Sequence, residues 1–389
     1  MLYSRLRPLF FSLDPEHAHH LALNALKLLQ ASRLAPVPPP SDPRLSQELW
    51  GLRFPNPVGL AAGYDKNAQV PLAWPALGFG FVELGTITAK AQEGNPKPRV
   101  FRLEKDQACI NRLGFNNEGA VTVARQLTRL LPLGRPHPVP LGFNIGKSRV
   151  TPLEEAVSDY LESFEQLFPF ADYLVVNVSS PNTPDLRKLQ EAERLGRLLE
   201  ALLRVSQSKS SRSVEKQSLS RSVGQSPDSQ THRLTDSETG FPLSRPKPIL
   251  VKIAPDLSDE EVTEIARVAQ AAGASGLIAT NTTITRPVLQ APSCEEGGLS
   301  GRPLAKRATE VMRVLFRAVE GKLPLIGVGG IFSAEDAYAR ICAGASLVQI
   351  YTGLIYEGPF LPRRIVRGLL NILANKGLNH LREAVGKGA

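Results

Sequence analysis

The chain has 389 residues, 42% hydrophobic and 21% charged, with a net charge of +9; this is the composition of a globular enzyme with a large core and excludes a low-complexity or collagen-like chain. The basic balance permits attraction to anionic lipid, nucleic acid or acidic substrates without choosing among them. The three cysteines, Cys109, Cys294 and Cys342, are far apart and form no CxxC pair, which argues against a disulfide framework or a zinc site and fits a reducing compartment.

Residues 1–40 stand apart from the rest. The first residues mix positive charge with apolar side chains, but Asp14, Glu16 and three histidines interrupt them before any cleavage site, so they do not read as a secretory signal. Asp14-Pro15-Glu16 predicts a helix start with proline in the first turn. Leu21, Leu23, Ala25, Leu26, Leu28 and Leu29 supply an apolar face, and Leu6, Leu9, Phe10 and Phe11 form a second greasy patch. Two such helices either pack on the main domain or lie in a lipid interface, with Arg5, Arg7, Lys27 and Arg33 toward headgroups. No apolar run reaches the ~18 residues of a bilayer-spanning helix. Pro36 to Pro40 reads as a stiff linker.

After residue 50 short apolar runs alternate with longer amphipathic stretches. The predicted strands are 57–61, 80–86, 139–145, 173–178, 249–253, 276–280, 325–328 and 347–351; predicted helices between them include 154–168, 259–272, 305–319 and 334–343. Uninterrupted apolar strands separated by helices indicate a parallel sheet covered on both faces. Eight such units predict an α/β fold, a (β/α)8 TIM barrel with a small N-terminal helical extension. A doubly wound open sheet is the alternative, but the Gly-x-Gly-x-x-Gly expected after its first strand is absent. The barrel is expected over residues 41–375, with a short C-terminal tail over 376–389. Residues 206–245 are Ser-rich and mixed in charge, and predict a disordered insertion between the fourth barrel helix and the fifth strand.

Active sites of such barrels form at the C-terminal ends of the strands. In chain order these ends carry Ala61-Ala62-Gly63-Tyr64-Asp65-Lys66, Glu83-Leu84-Gly85-Thr86, Asn144-Ile145-Gly146-Lys147, Asn177-Val178-Ser179-Ser180-Pro181-Asn182-Thr183, Lys252, Thr280-Asn281-Thr282-Thr283, Gly327-Val328-Gly329-Gly330 and Tyr351-Thr352-Gly353. Asn after a strand is commonly only a turn residue. Lys252, between Val251 and Ile253, needs an anionic partner if buried. The seventh and eighth ends suit a phosphate held on backbone N–H groups. Asn111, Asn177, Asn182 and Asn281 each carry donors and an acceptor; together they suit a flat ring with alternating N–H and C=O groups, and Lys66 adds a charge for a carboxylate. No His/Asp/Glu cluster occurs at the strand ends, so no metal is expected.

Ala-Ala-Gly-Tyr-Asp-Lys, Asn-Arg-Leu-Gly-Phe-Asn-Asn, Asn-Val-Ser-Ser-Pro-Asn-Thr, Gly-Gly-Leu-Ser-Gly-Arg-Pro-Leu and Ile-Gly-Val-Gly-Gly-Ile, in that order, resemble the class 2 dihydroorotate dehydrogenase family, over residues 1–205 and 246–375. The resemblance implies oxidation of dihydroorotate to orotate in pyrimidine synthesis, a hydride passing from ring C6 to FMN and electrons then to a membrane quinone. By motif position it implies Ser180 as the base that takes the C5 proton, where class 1 relatives carry Cys. Thr183 and a water are the candidates for carrying that proton away, with Phe115 restricting solvent. FMN contacts implied are Ala62, Gly63, Lys66, Thr86, Asn144, Asn177, Lys252, Thr280, Gly301, Gly330, Tyr351 and Thr352. Lys252 would sit by the flavin N1–C2=O edge, where negative charge develops. Substrate contacts implied are Lys66, Asn111, Arg112, Leu113, Gly114, Phe115, Asn177, Asn182, Asn281 and Thr282. The N-terminal segment resembles the family's membrane-lying extension, with His19, Arg102 and Tyr351 lining a quinone tunnel. The expected enzyme is a monomer on the cytoplasmic side of the cell membrane, with no nucleic-acid partner. Its rivals are a soluble class 1 enzyme using fumarate or NAD, a flavin-free phosphate-binding isomerase or lyase, and a non-catalytic binding barrel.

Overall fold

The computed structural model describes residues 2–32, 42–131, 137–223, 246–286, 289–290 and 293–389. Chain order begins with α1 (Leu2–Ser12) and α2 (Pro15–Ala31), then a hairpin, β1 (Gln47–Leu49) and β2 (Leu52–Phe54). The barrel opens with β3 (Val58–Leu60) and β4 (Phe81–Ile87), followed by an antiparallel pair, β5 (Val100–Leu103) and β6 (Ala108–Asn111). It continues through α3 (Ala120–Leu130), β7 (Leu141–Ile145), α4 (Ala156–Leu167), β8 (Tyr173–Asn177), α5 (Ala192–Val223), β9 (Ile249–Ile253), α6 (Asp259–Ala271) and β10 (Gly276–Ala279). Then come β11 (Gly298–Gly301), α7 (Ala305–Ala318), β12 (Leu325–Val328), α8 (Ala334–Cys342), β13 (Leu347–Ile350), α9 (Thr352–Glu357) and α10 (Leu361–Asn375).

Eight parallel strands close in the order β3-β4-β7-β8-β9-β10-β12-β13, which is the predicted (β/α)8 barrel. The eight predicted strands coincide with these eight to within two residues at each end. Their uniformly apolar character follows from burial on both sides: every residue of β4, β7, β8 and β9 is buried. The β1–β2 hairpin, not predicted, supports the barrel's N-terminal mouth. Trp50 Nε1 donates to Ser275 O at 2.7 Å, and Phe54 packs edge-on against Phe81 at 5.5 Å between ring centres.

The other unpredicted element is a three-stranded antiparallel sheet, order β11-β6-β5, on the loops at the opposite mouth. Its short strands place Asn111 and Gly301 at the rim of the barrel. The C-terminal tail packs rather than dangles: Leu381 and Ala384 are fully buried, and Gly386 N–H donates to Ile341 O.

The N-terminal helices follow the expected punctuation. Asp14 Oδ1 caps α2 by accepting from the N–H groups of Glu16 and His17, both at 3.0 Å, with Pro15 in the first turn. Glu16 is buried and pairs with the equally buried Arg99 at 2.9 Å. Arg102 donates to the carbonyls of Phe10, Phe11 and Leu13, putting a cation at the C-terminus of α1. The helices are thereby fixed to the loop bearing β5.

The expected disordered insertion needs correction. Helix α5 runs on through the first part of it, to Val223. Ser206 and Ser210 are buried, and Ser206 Oγ accepts from Lys247 N–H at 3.1 Å. Composition misled here because Ser is only mildly unfavourable in a helix, and neither Gly nor Pro interrupts the chain between Gly196 and Gly224. The remainder of the expected insertion, the Pro36–Pro40 linker and Arg33 lie outside the described residues.

Candidate active site

The C-terminal mouth of the barrel holds a cavity. Nearly every residue singled out from the strand ends lines it: Ala62, Gly63, Lys66, Thr86, Asn111, Leu113, Gly114, Phe115, Asn177, Ser180, Asn182, Lys252, Thr280, Asn281, Thr282, Gly301, Gly330, Tyr351 and Thr352. Segments separated by up to 290 residues in the chain converge because each parallel strand delivers its end to the same rim.

Two expected contacts fall elsewhere. Arg112 turns away from the cavity: its guanidinium pairs with Glu295 at 2.6 Å, donates to Pro98 O at 3.0 Å and stacks over Phe101. The Glu295 carboxylate, the carbonyls of Pro98 and Glu296 and the Phe101 ring draw the long side chain outward. Asn144 is fully buried and does not line the cavity; it lies behind the lining residues. Its Oδ1 accepts from Thr86 Oγ at 2.6 Å and Asn177 Nδ2 at 3.1 Å, so it orients two residues that do.

The amides form two hydrogen-bonded sets. Asn281 Nδ2 donates to Ser179 Oγ at 2.9 Å, Ser179 Oγ–H to Asn177 Oδ1 at 3.0 Å, and Asn182 Nδ2 to Asn111 O at 3.1 Å. Such links fix which end of each amide faces a ligand. Ser180 is 5% exposed, and its Oγ accepts from the N–H of Asn182 at 3.2 Å. Thr183 Oγ1 is buried with no partner among the described residues, as are Thr280 Oγ1 and Gln349 Oε1. The last two belong to residues lining the cavity, so a ligand there would meet them.

Lys252 has a protein partner that the sequence reading did not assign. Its Nζ donates to Glu83 Oε1 at 3.1 Å, with Glu83 fully buried. Asn144 Nδ2 and Gln349 Nε2 donate to the same carboxylate at 2.7 and 2.5 Å. The available signal was two opposite charges in otherwise apolar strands, Glu83 and Lys252. Replacing Glu83 with Leu is expected to leave a buried ammonium uncompensated and to destabilise the fold by about 3–5 kcal/mol, read from denaturant unfolding midpoints. Unchanged stability would mean that Lys252 finds another counter-charge.

Lys66 differs from Lys252: among the described residues it has no hydrogen bond or ion pair. Burial lowers its pKa to about 8, helped by Arg99 and opposed by Glu16. Its ammonium thus faces the cavity with no ion-pair partner among the described residues.

A second, larger cavity of about 930 Å³ adjoins the first. Lys66, Asn111, Leu113, Ser300 and Tyr351 line both. Its other walls are mostly apolar and come from α1 and α2, including Leu6, Phe10, Phe11, Ala22 and Leu26, with His19 and Arg102 among them. His19 packs edge-on against Tyr64 at 4.9 Å; burial drives its pKa down to about 3, so the ring is neutral at physiological pH. His19 is therefore a wall of this cavity, not a solvent-facing helix residue.

The profile of the dihydroorotate dehydrogenase family matches residues 44–373. Dihydroorotate dehydrogenase (quinone) of Gloeobacter violaceus is 49% identical over 99% of this chain and 98% of its own. The protein of the same name from Acidithiobacillus ferrooxidans is 48% identical over the whole of both chains. Among solved structures, that of the Eimeria tenella dihydroorotate dehydrogenase in complex with ferulenol superposes with a TM-score of 0.81 at 43% identity, covering 96% of this chain and 95% of that one.

Proposed function

Because the chain belongs to the dihydroorotate dehydrogenase family and is an oxidoreductase of its quinone-dependent class, we propose that the two adjoining cavities divide its reaction between them. The polar cavity oxidises dihydroorotate to orotate beside FMN, and the apolar cavity admits the quinone. The observation carrying this reading is their contact: Ser180, four amides and Lys252 line one chamber, and Tyr351 and Lys66 stand between it and the greasy one.

The residues present fit FMN. Gly301, Gly329 and Gly330 line one end of the polar cavity in left-handed conformations. A Cβ on Gly330 would come within 2.4 Å of Ala305 Cβ, and one on Gly301 within 2.3 Å of Gln107 O, so bare backbone is required there. These groups with Thr352 would hold the phosphate, and Lys252, Thr86, Asn177 and Thr280 the ring system. FMN, when bound, supplies the hydride acceptor and a relay to the quinone. Lys252 provides fixed positive charge against the electron-rich form. Ser180 takes the proton from the substrate carbon, while Asn111, Asn177, Asn182 and Asn281 hold the pyrimidine ring in register for it. Phe115, 9% exposed, and Leu113 restrict water.

The test is an anaerobic titration with dihydroorotate, then quinone. The flavin band near ~450 nm is expected to bleach and then to return. A colourless protein, or a band that dihydroorotate leaves unchanged, overturns the reading; return with fumarate or NAD but not quinone favours the soluble rival.

Lys66 gives this reading a pH signature. Only its protonated form attracts the substrate carboxylate, and the free enzyme loses that proton as pH rises through about 8. Orotate affinity is expected to be flat below that value and to fall about tenfold per pH unit above it. Difference spectra of the bound flavin would follow this, and Lys66→Met should weaken binding and remove the break. Constant affinity into the Lys66-neutral range would rule out that role.

The same reading places the N-terminal helices on the surface of the membrane, cytoplasmic side. Leu6, Leu9, Leu13, Leu21 and Leu28 are among the exposed large apolar side chains, from 39% to 73% exposed, with Arg5 and Lys27 exposed beside them. Among the described residues no helix is long and apolar enough to cross a bilayer.

A further inference from the structure

Arg340, on α8, is 2% exposed and has no carboxylate within 4.0 Å among the described residues. A buried guanidinium is normally neutralised by a carboxylate. Here four N–H groups go to neutral acceptors instead. Nε donates to Thr309 Oγ1 at 3.2 Å, Nη1 to Val328 O at 2.9 Å, and Nη2 to Gly329 O at 2.9 Å and Ala305 O at 3.2 Å. Burial, the largest influence, lowers its pKa to about 10, with the Asp336 carboxylate opposing and Arg313 adding to the shift, so the charge persists at neutral pH.

Two of those acceptors belong to the loop that lines the cavity, and one of them, Val328 O, also accepts from Thr280 N–H at 3.1 Å. The carbonyls of Val328 and Gly329 face the guanidinium. A trans peptide directs its N–H opposite to its carbonyl, so the N–H groups of Gly329 and Gly330 point away from Arg340. That is the side of the cavity which both glycines line. The close packing at these positions leaves the side chain no alternative path: a Cβ on Gly327 would lie 2.4 Å from Arg340 Cγ. Arg340 itself does not line the cavity.

We propose that Arg340 is a positioning residue that makes this site selective for a phosphorylated flavin, by aiming the Gly329 and Gly330 N–H groups into the cavity and supplying positive charge behind them. The inference rests on the FMN reading above. The loop presents polarised donors, and a cation with no carboxylate at ion-pair distance, offset only in part by Asp336 on the same helix, adds a field that only a ligand with an anionic end can use. Riboflavin, the same ring and side chain without phosphate, gains little from either.

The experiment strips flavin from wild type, Arg340→Lys and Arg340→Gln, then titrates each apoprotein with FMN and with riboflavin, following flavin fluorescence. Wild type is expected to prefer FMN. Arg340→Gln removes charge while keeping an amide donor, and should reduce the FMN-to-riboflavin affinity ratio by about tenfold or more. Arg340→Lys keeps the charge and should hold the ratio within about threefold. Equal loss of both flavins in the glutamine variant, with the ratio unchanged, shows a merely structural role and overturns the proposal. Should the glutamine variant not fold, a tenfold fall of the ratio in the lysine variant overturns it, and a ratio within the stated range supports it. A wild type with no preference for FMN defeats the cofactor reading itself, which is a different result from an unchanged ratio in the variants.

Discussion

Ser180→Ala is expected to slow reduction of the bound flavin by dihydroorotate by about 10²- to 10⁴-fold, the usual contribution of a positioned general base, while orotate still binds. The two effects are expected to separate because, in the proposed reading, the residues that hold the ring are not the one that takes its proton. Asn177 and Asn281 are tied to each other and to Ser179, and Asn111 to Asn182; none is tied to the Ser180 hydroxyl hydrogen. Among the described residues the hydrogen bond to the Ser180 hydroxyl comes from the Asn182 backbone N–H, donated to Oγ at 3.2 Å. That bond leaves the Ser180 proton free to be passed on. Serine is a weak base in water and needs an acceptor for its own proton. Thr183 Oγ1, buried and without a partner among the described residues, is the candidate on the same loop. Anaerobic stopped-flow reduction measures the effect, and orotate-induced spectral shifts measure binding. Reduction at close to the wild-type rate would remove Ser180 from the chemistry; loss of orotate binding would make it a binding residue instead.

Deleting residues 1–31 is expected to abolish turnover with a long-chain quinone while FMN binding and dihydroorotate-driven flavin reduction survive. The helices are one wall of the apolar cavity and contribute no residue to the polar one. Their removal also takes Glu16 from Arg99. Breaking a buried ion pair by losing one partner costs about 3–5 kcal/mol when the other stays buried; here the deletion opens Arg99 to water, so a smaller loss of stability is expected. Turnover with a small water-soluble electron acceptor is the control that separates loss of the quinone chamber from loss of the enzyme. Undiminished activity with the long-chain quinone would refute the assignment of this chamber.

The sequence by itself determined the barrel and the inventory of its mouth. Eight apolar runs separated by amphipathic stretches leave few architectures, and parallel strands buried on both sides carry that pattern openly. The polar residues at their ends were legible for the same reason, since a strand's direction tells which end faces the site. The Asp14 cap and Pro15 marked α2 because capping is a local interaction between neighbours in the chain.

Only the tertiary structure decided which charges face which. Glu83 and Lys252 are 169 residues apart and meet across the barrel interior, and no local pattern specifies such a pair. Arg112 belonged to a recognised motif yet turns outward, because Glu295 and Phe101 lie beyond the cavity. Arg340 looked like an ordinary helix residue until α8 packed it behind the Gly329–Gly330 loop. The short strands β5, β6 and β11 were missed because their pairing joins segments remote in sequence, and strands of four residues carry too few alternations to register. Helix α5 extended past its predicted end, since weak propensity over a Ser-rich stretch does not set a boundary that packing and hydrogen bonding to Lys247 can override.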